Sequence, residues 1–255
     1  MAWPRAVLVP DWPAPPGVLA ATTTRALPGL SAGPYAHFNL GARCGDEPRA
    51  VEANRAALGA LLGLPSPPRW LRQVHGTRVV EATSTADGVE PEADAAVARE
   101  PGVVLAILTA DCLPVLFCTD DGGTIGAAHA GWRGLAAGVL ERTVEAIAAA
   151  PSRVLAWIGP AIGAASYEVG EAVRDAFVAI DAGAADAFAE TRPGHWRCDL
   201  AHLARRRLAA AGVARVHGGG FDTFGDERFY SYRRGPVTGR FATLAWTVPA
   251  RHGMA

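Results

Sequence analysis

Two short segments place a thiol and an imidazole where predicted strands end. Thr109-Ala110-Asp111-Cys112-Leu113-Pro114 follows an apolar, β-rich run, and Ala127-Ala128-His129-Ala130-Gly131 precedes an amphipathic stretch. An aspartate beside a cysteine is unusual in so apolar a run, because burying charge is costly unless the charge is paired or serves a site. Cys112 and His129 are therefore candidates for a metal site or a nucleophilic pair. A buried structural cysteine beside a loop-capping Asp111 explains the first segment equally well.

A predicted hairpin decides whether these two side chains meet. The turn Thr119-Asp120-Asp121-Gly122-Gly123 separates two predicted strands, Val115–Cys118 and Thr124–Ala128. With the two-residue loop Asp121-Gly122, His129 faces Pro114, and Cys112 is its diagonal neighbour on the same face, about 7–8 Å away. A three-residue loop would put them on opposite faces.

His75 is the best third candidate for a metal ligand. It lies in the polar turn Arg72-Gln73-Val74-His75-Gly76, ahead of the β-like pair Val79-Val80. Two nitrogens and one sulfur leave a fourth position open for water or substrate, which is typical of a catalytic zinc site. Without a metal, Cys112 would instead be a thiolate nucleophile activated by a histidine and acting on an amide or ester.

Composition excludes several classes of protein. The 255 residues are 50% hydrophobic and 19% charged with a net charge of −1, so we expect an ordered protein without a nucleic-acid partner. All basic residues are arginine, which excludes chemistry that needs a Walker A or Schiff-base lysine. The four cysteines form no CxxC pair, no secretory signal is present, and the most apolar stretch, Val103–Cys118, carries Asp111. We therefore expect a cytoplasmic protein without a membrane partner.

Helices and strands alternate along the whole chain, which predicts one α/β or mixed α+β domain. The predicted bounds are an N-terminal arm over residues 1–19, a single catalytic domain over residues 20–248 and a tail over residues 249–255. The predicted helices are Glu47–Leu62, Leu135–Ala149, Val169–Ile180 and Leu200–Ala211, the last with Asp199 as N-cap, and the other predicted strands are Val103–Leu108, Val154–Ile158 and Phe241–Val248.

Several motifs in this order resemble the YfiH-like family, first labelled multicopper polyphenol oxidases of the laccase-domain type and now described as purine nucleoside phosphorylases. The motifs are Thr24-Arg25, Phe38-Asn39-Leu40-Gly41, Gly45-Asp46, the three segments around His75, Cys112 and His129, Ile158-Gly159-Pro160, Ser166-Tyr167-Glu168-Val169, Ser231-Tyr232-Arg233-Arg234 and Thr238-Gly239-Arg240. The resemblance implies a single α/β/β/α-type sandwich similar to a cysteine hydrolase fold. It also implies a zinc ion held by His75, Cys112 and His129, and phosphorolysis of adenosine, inosine and methylthioadenosine with a side activity of adenosine deaminase. It places Arg25 and Asn39 in the substrate pocket.

The predicted reaction needs phosphate and a proton donor as well as the nucleoside. Arg25, Arg133 and Arg240 are candidates for positioning phosphate, because arginine binds this anion in a bidentate way. Asp111 is a candidate general acid for the leaving base, or it orients a ligand histidine. The alternatives are a metal-free Cys-His hydrolase or amidase, for example on a cell-wall precursor, and a copper-dependent polyphenol oxidase. The oligomeric state is not predicted.

Two positions depart from the family pattern. Asp222-Thr223 stands where a Cys-Thr pair is usual, and Arg43 stands where a histidine is common. Neither change touches the three proposed ligands.

Overall fold

The computed structural model describes residues 3–85 and 88–248, so the predicted tail over residues 249–255 lies outside the described residues. Within these ranges the strands are β1 Val18–Thr22, β2 Val79–Glu81, β3 Ala95–Ala98, β4 Val104–Thr109, β5 Leu113–Thr119, β6 Ile125–Ala130, β7 Val154–Ile158, β8 Glu168–Gly170, β9 Phe188–Arg192, β10 His195–Cys198, β11 Arg215–Gly218 and β12 Phe241–Thr247. The α-helices are α1 Pro48–Leu62, α2 Trp132–Ala137, α3 Val139–Ile147, α4 Glu171–Val178 and α5 Leu200–Ala210. No helix in the described part of the chain is long and apolar enough to cross a membrane.

The strands form three sheets. A six-stranded mixed sheet has the order β11-β7-β5-β6-β3-β2, and a three-stranded antiparallel sheet has the order β1-β12-β4. The third sheet also has three strands, in the order β8-β10-β9. Val18 and Leu19, which end the predicted N-terminal arm, are already paired with β12.

Alternation along the strands builds four layers. In β5, Val115 and Phe117 pack in a core with Leu140 of α3 and Leu203 of α5. Because successive side chains point to opposite faces, Leu116 packs instead in a second core, which lies between the six-stranded sheet and the β1-β12-β4 sheet. A third core joins the far face of the three-stranded sheet to α1. The predicted α/β/β/α sandwich is the observed architecture.

The helix ends follow the predicted capping residues. Helix α1 begins at Pro48 with the Glu47 side chain accepting the N–H of Arg49, and it ends at Gly63, whose φ of 62° suits glycine. The Asp199 carboxylate accepts the N–H of His202 and caps α5, as predicted.

Two predicted helices are wrong in extent. The helix predicted over Leu135–Ala149 is two helices, because the chain passes through Gly138 at φ 98°, a left-handed conformation that ends α2 and starts α3. The helix predicted over Val169–Ile180 begins only at Glu171, since residues 168–170 pair with β10. The hydrophobic periodicity of the sequence indicates neither the break at Gly138 nor the strand pairing of residues 168–170.

Candidate metal centre and its cavity

The β5–β6 hairpin brings Cys112 and His129 together. Leu113 pairs with Ala130 and Pro114 with His129, which is the register predicted for the two-residue loop. His129 is the penultimate residue of β6 and is 3% exposed, whereas Cys112 directly precedes β5 and is half-buried. The predicted register is confirmed, although the connecting loop spans residues 120–123, because the last hydrogen bond between the strands joins Thr119 and Thr124.

His75 reaches the same point from a turn ahead of β2. The Gln73 side chain anchors this turn: its Nε2 donates to the Leu108 carbonyl at 2.8 Å and its Oε1 accepts the Leu108 N–H at 2.9 Å. His75 itself has φ 61°, an uncommon left-handed conformation for a residue with a side chain. The turn is therefore fixed to the end of β4, beside the segment that carries Cys112.

One ligand atom from each of His75, Cys112 and His129 lies within 4.8 Å of the other two. Cys112 Sγ is 3.7 Å from His75 Nε2, and the two imidazole rings meet edge to face with centroids 4.8 Å apart. A tetrahedral zinc ion with Zn–S of about 2.3 Å and Zn–N of about 2.0 Å separates sulfur from nitrogen by about 3.5 Å. The donor set and its spacing therefore fit one zinc ion with a fourth position left open.

Asp94, which the sequence analysis missed, supports two of these three residues. Its carboxylate is fully buried and accepts the N–H groups of Val74, His75 and Gly76 at 3.2, 2.9 and 2.7 Å. Its Oδ1 also lies 2.8 Å from His129 Nδ1. Burial opposes ionisation of Asp94, but these hydrogen bonds outweigh it and hold the pKa of the carboxyl below its usual value.

The pKa shifts of Cys112 and His129 describe an ion pair. Burial by itself would raise the pKa of the Cys112 thiol, but the His129 and His75 imidazoles outweigh burial and lower this pKa. Burial by itself would lower the pKa of His129, but the Cys112 sulfur and the Asp94 carboxylate raise it. Thiolate is the form of cysteine that both metal binding and nucleophilic attack require.

Two glycines allow the three segments to approach each other. A Cβ on Gly131 would lie 2.8 Å from His75 Cδ2 and 3.1 Å from Cys112 Sγ. A Cβ on Gly134 would lie 2.8 Å from the Gly76 carbonyl oxygen. Larger residues at either position would push the His75 turn away from the hairpin.

The three residues line a cavity of about 620 Å³. Among the described residues, its wall carries five arginines but one acidic residue, Asp111. The arginines are Arg43, Arg55, Arg133, Arg233 and Arg240, and the aromatic residues are Trp132, Tyr167 and Tyr232. A wall of this composition favours a flat ligand that is itself anionic or that binds together with phosphate.

Comparison with known proteins identifies the family. Residues 19–248 match the family described as multi-copper polyphenol oxidoreductase laccase. The chain belongs to this family. A relative from Xylella fastidiosa, named purine nucleoside phosphorylase, is 55% identical over 96% of this chain and 98% of its own length. Purine nucleoside phosphorylase YfiH from Escherichia coli is 49% identical over 95% of this chain and 99% of its own.

A solved structure shares the fold. The crystal structure of a Neisseria meningitidis protein superposes with a TM-score of 0.92 and 45% identity, covering 96% of this chain and all of that one. The likeness to members of the YfiH-like family predicted from the motifs is confirmed, and relatives named as nucleoside phosphorylases support an enzyme of that class.

The predicted substrate-binding residues divide into two groups in this structure. Arg133 and Arg240 lie on the cavity wall with the metal-site residues. Arg25 does not: its Nε donates to the Ala36 carbonyl, and its guanidinium lies over the Tyr230 ring. Asn39 is fully buried, and its Oδ1 accepts the N–H groups of Gly41 and Arg240. Arg25 and Asn39 therefore contact the loops beside the wall, and their place in the substrate pocket stays a prediction.

Asp111 lines the cavity, but its oxygens are occupied. Thr223 Oγ1 donates to Oδ1 at 2.6 Å, while Ser231 Oγ and the Arg233 N–H donate to Oδ2 at 3.0 and 2.7 Å. The carboxylate that contacts a ligand histidine is that of Asp94, so the expectation that Asp111 orients one is corrected.

The two departures from the family pattern have defined contacts. Asp222 accepts the Gly163 N–H at 2.9 Å and the Ser166 hydroxyl at 2.5 Å, and it so fixes the loop ahead of Tyr167. Arg43 lies on the cavity wall and pairs with Glu90, which also pairs with Arg55.

Proposed function

We propose that this protein is a zinc-dependent purine nucleoside phosphorylase that cleaves adenosine, inosine and methylthioadenosine with phosphate and deaminates adenosine as a side activity. The observation that carries the proposal is the convergence of His75, Cys112 and His129 on the wall of an arginine-rich cavity. At about 620 Å³, the cavity has a volume typical of small-molecule sites. The names of the bacterial relatives agree with it.

His75, Cys112 and His129 would hold the metal. His129 uses Nε2, because the Asp94 carboxylate, which is only an acceptor, occupies Nδ1–H. When bound, zinc supplies Lewis-acid chemistry at its open coordination position.

Arg133 and Arg240 are the guanidinium groups that best suit phosphate. Arg43 and Arg55 are paired with Glu90, and both terminal nitrogens of Arg233 donate to the Glu168 carbonyl. Among the described contacts, the Arg240 guanidinium donates from Nη1 only, to the Thr238 and Gly239 carbonyls. In phosphorolysis a phosphate oxygen forms a bond to C1′ while the bond from C1′ to the purine nitrogen breaks. Its electron pair leaves with the base, which takes up one proton. Two cations that fix the phosphate beside C1′ supply the orientation that this displacement needs.

Aromatic faces on the same wall suit the purine. Tyr167 carries the Arg233 guanidinium over its ring at 5.1 Å, and the Arg133 guanidinium lies 4.5 Å over the Trp132 ring. Planar rings and guanidinium groups stack on flat bases.

Asp111 serves this site by holding the wall in place. Three hydrogen bonds to its carboxylate join the Cys112 segment to Thr223, Ser231 and Arg233. A carboxylate that accepts at both oxygens is poorly suited to donate a proton, so we assign the protonation of the leaving base to another group.

A metal count followed by a nucleoside assay tests the proposal. We expect about one zinc per chain, and release of adenine from adenosine only when phosphate is present. Formation of inosine without phosphate would demonstrate the deaminase activity. His129→Ala should lose both the zinc and the phosphorolysis. Zinc retained by that variant would refute the ligand assignment.

The same experiment separates the alternatives. Several coppers per chain with oxidation of phenols would favour the polyphenol oxidase. A metal-free chain that hydrolyses amides or esters and loses this activity on Cys112→Ser would favour the Cys-His hydrolase.

A further inference from the structure

Asp94 is a buried carboxylate whose partners all belong to the two histidine-bearing segments. It directly precedes β3 and is 0% exposed, and within the described residues its ion pair is with His129 rather than with an arginine. A buried charge is retained at low cost only where hydrogen bonds compensate it. Its hydrogen-bond partners therefore indicate what it does.

Three partners are consecutive backbone N–H groups. Those of Val74, His75 and Gly76 all point at the Asp94 carboxylate, with distances between 2.7 and 3.2 Å. Consecutive N–H groups converge on one anion where the chain curls, and here the curl passes through the left-handed residue His75 at φ 61°. The carboxylate so stabilises the conformation that turns the His75 ring toward Cys112.

The fourth partner is the His129 ring. Asp94 Oδ1 lies 2.8 Å from His129 Nδ1 and also accepts the His75 N–H at 2.9 Å. The Asp94 backbone carbonyl accepts the His129 N–H at 2.7 Å, and this bond extends the pairing of β3 with β6. One oxygen atom therefore contacts both histidines, although they are 54 residues apart in the sequence.

We propose that Asp94 is the positioning residue of the metal site: it fixes the His129 ring with Nε2 facing the cavity and holds the His75 turn in register with it. This inference rests on the proposed function, because the metal is the one proposed above. Carboxylates that support ligand histidines in this way contribute about 10–100-fold to metal affinity.

The test compares Asp94→Asn with Asp222→Asn. Asp222 is the control, because its carboxylate accepts three hydrogen bonds, from Gly163, Ser166 and Phe224, none of which is a proposed ligand. Metal-stripped full-length proteins are titrated with Zn²⁺ against a chelator and with Co²⁺, whose absorption spectrum reports coordination geometry. We expect Asp94→Asn to bind Zn²⁺ about 10–100-fold more weakly and to alter the Co²⁺ spectrum, whereas Asp222→Asn retains both.

Amide hydrogen exchange gives a second readout that needs no metal. In Asp94→Asn, exchange at residues 74–76 should accelerate relative to the rest of the chain, whereas in Asp222→Asn it should not. If Asp94→Asn does not fold, Asp94→Glu, which keeps the charge but displaces the carboxylate, should show the same losses. Unchanged Zn²⁺ affinity, Co²⁺ spectrum and exchange at these amides would overturn the inference. If the unsubstituted protein binds no metal but the two variants differ in amide exchange as expected, the zinc proposal is refuted. Asp94 would then remain the residue that holds the two histidine segments together.

Discussion

Gly131 separates β6 from α2 and is a glycine for steric reasons. Its φ of −60° and ψ of 156° are open to any residue, so the backbone does not require glycine. A Cβ would nevertheless lie 2.8 Å from His75 Cδ2 and 3.1 Å from Cys112 Sγ. Gly131→Ala therefore presses on two proposed ligands without straining the chain.

The size of the effect follows from these distances. Ordinary contact begins at 3.4 Å, so the imidazole must retreat by about 0.6 Å and the sulfur by about 0.3 Å. Ligand distances in metal sites fall within about 0.2 Å of their standard values, so these shifts exceed the usual spread. We expect Gly131→Ala to weaken Zn²⁺ binding at least as much as the loss of a supporting hydrogen bond does, by about 10–100-fold, or about 1.4–2.8 kcal/mol.

Gly170→Ala is the matched control. Gly170 is also the N-cap of a helix, with φ −90° and ψ 177°, and nothing lies within 4 Å of its Cβ position. Both variants bear the same small N-cap cost of about 1 kcal/mol or less. The assay is Zn²⁺ affinity by chelator competition and kcat/KM with adenosine and phosphate, together with thermal unfolding of the metal-free proteins. If Gly131→Ala matches Gly170→Ala in metal affinity and kcat/KM, the assignment of His75 and Cys112 as ligands is wrong.

Two further predictions concern protons and phosphate. Because the pKa of Cys112 is lowered and that of His129 is raised, the metal-free pair at neutral pH is a thiolate beside a protonated imidazole. Metal binding must then release about one proton, and metal affinity should rise about tenfold per pH unit around neutrality. Calorimetry in buffers of different ionisation enthalpy measures this proton release. Metal uptake without proton release would contradict the ion pair. Arg240→Met should raise the KM for phosphate about 10–100-fold, since a hydrogen bond to a charged group contributes about 1.5–3 kcal/mol. Arg25→Met should leave this KM unchanged. If steady-state kinetics show that Arg25→Met raises the KM for phosphate and Arg240→Met does not, Arg25 rather than Arg240 binds phosphate.

The strands next to the site could be predicted because their signals are local. The apolar run Val154–Ile158 is a strand at those bounds, and the Asp-Gly turn fixed the register that brings Cys112 beside His129. The short strands β8–β10 were not predicted, because β9 is largely exposed and its pairing depends on partners elsewhere in the chain.

The residues behind the site could not be predicted in the same way. Asp94 stands between two alanines with no local pattern, and its partners are 18 to 20 and 35 residues away. For Asn39 and Arg25 the motif match identifies the residue but not the direction of its side chain. Only the structure shows that Asn39 Oδ1 accepts the N–H of Arg240, 201 residues later, from behind the wall.

Two of the three non-glycine residues with positive φ in the described part of the chain lie at this site. His75 has φ 61°, and Asp111, which precedes Cys112, has φ 88°. Such conformations cost about 1–3 kcal/mol each and persist only where the surroundings enforce them. Here a buried carboxylate compensates each one: that of Asp94 binds the backbone of the His75 turn, and that of Asp111 binds Thr223, Ser231 and the Arg233 N–H.

These two hydrogen-bonded turns explain how widely spaced residues form one site. Neither carboxylate is itself a proposed ligand, so the turn geometry is maintained by the protein before any metal arrives. A site assembled in this way loses little conformational entropy on metal binding, and its affinity then depends on the carboxylates that hold the turns as much as on the ligand atoms. Substitutions at Asp94 and Asp111 should therefore weaken metal binding through geometry, whereas substitutions at the ligands should abolish it.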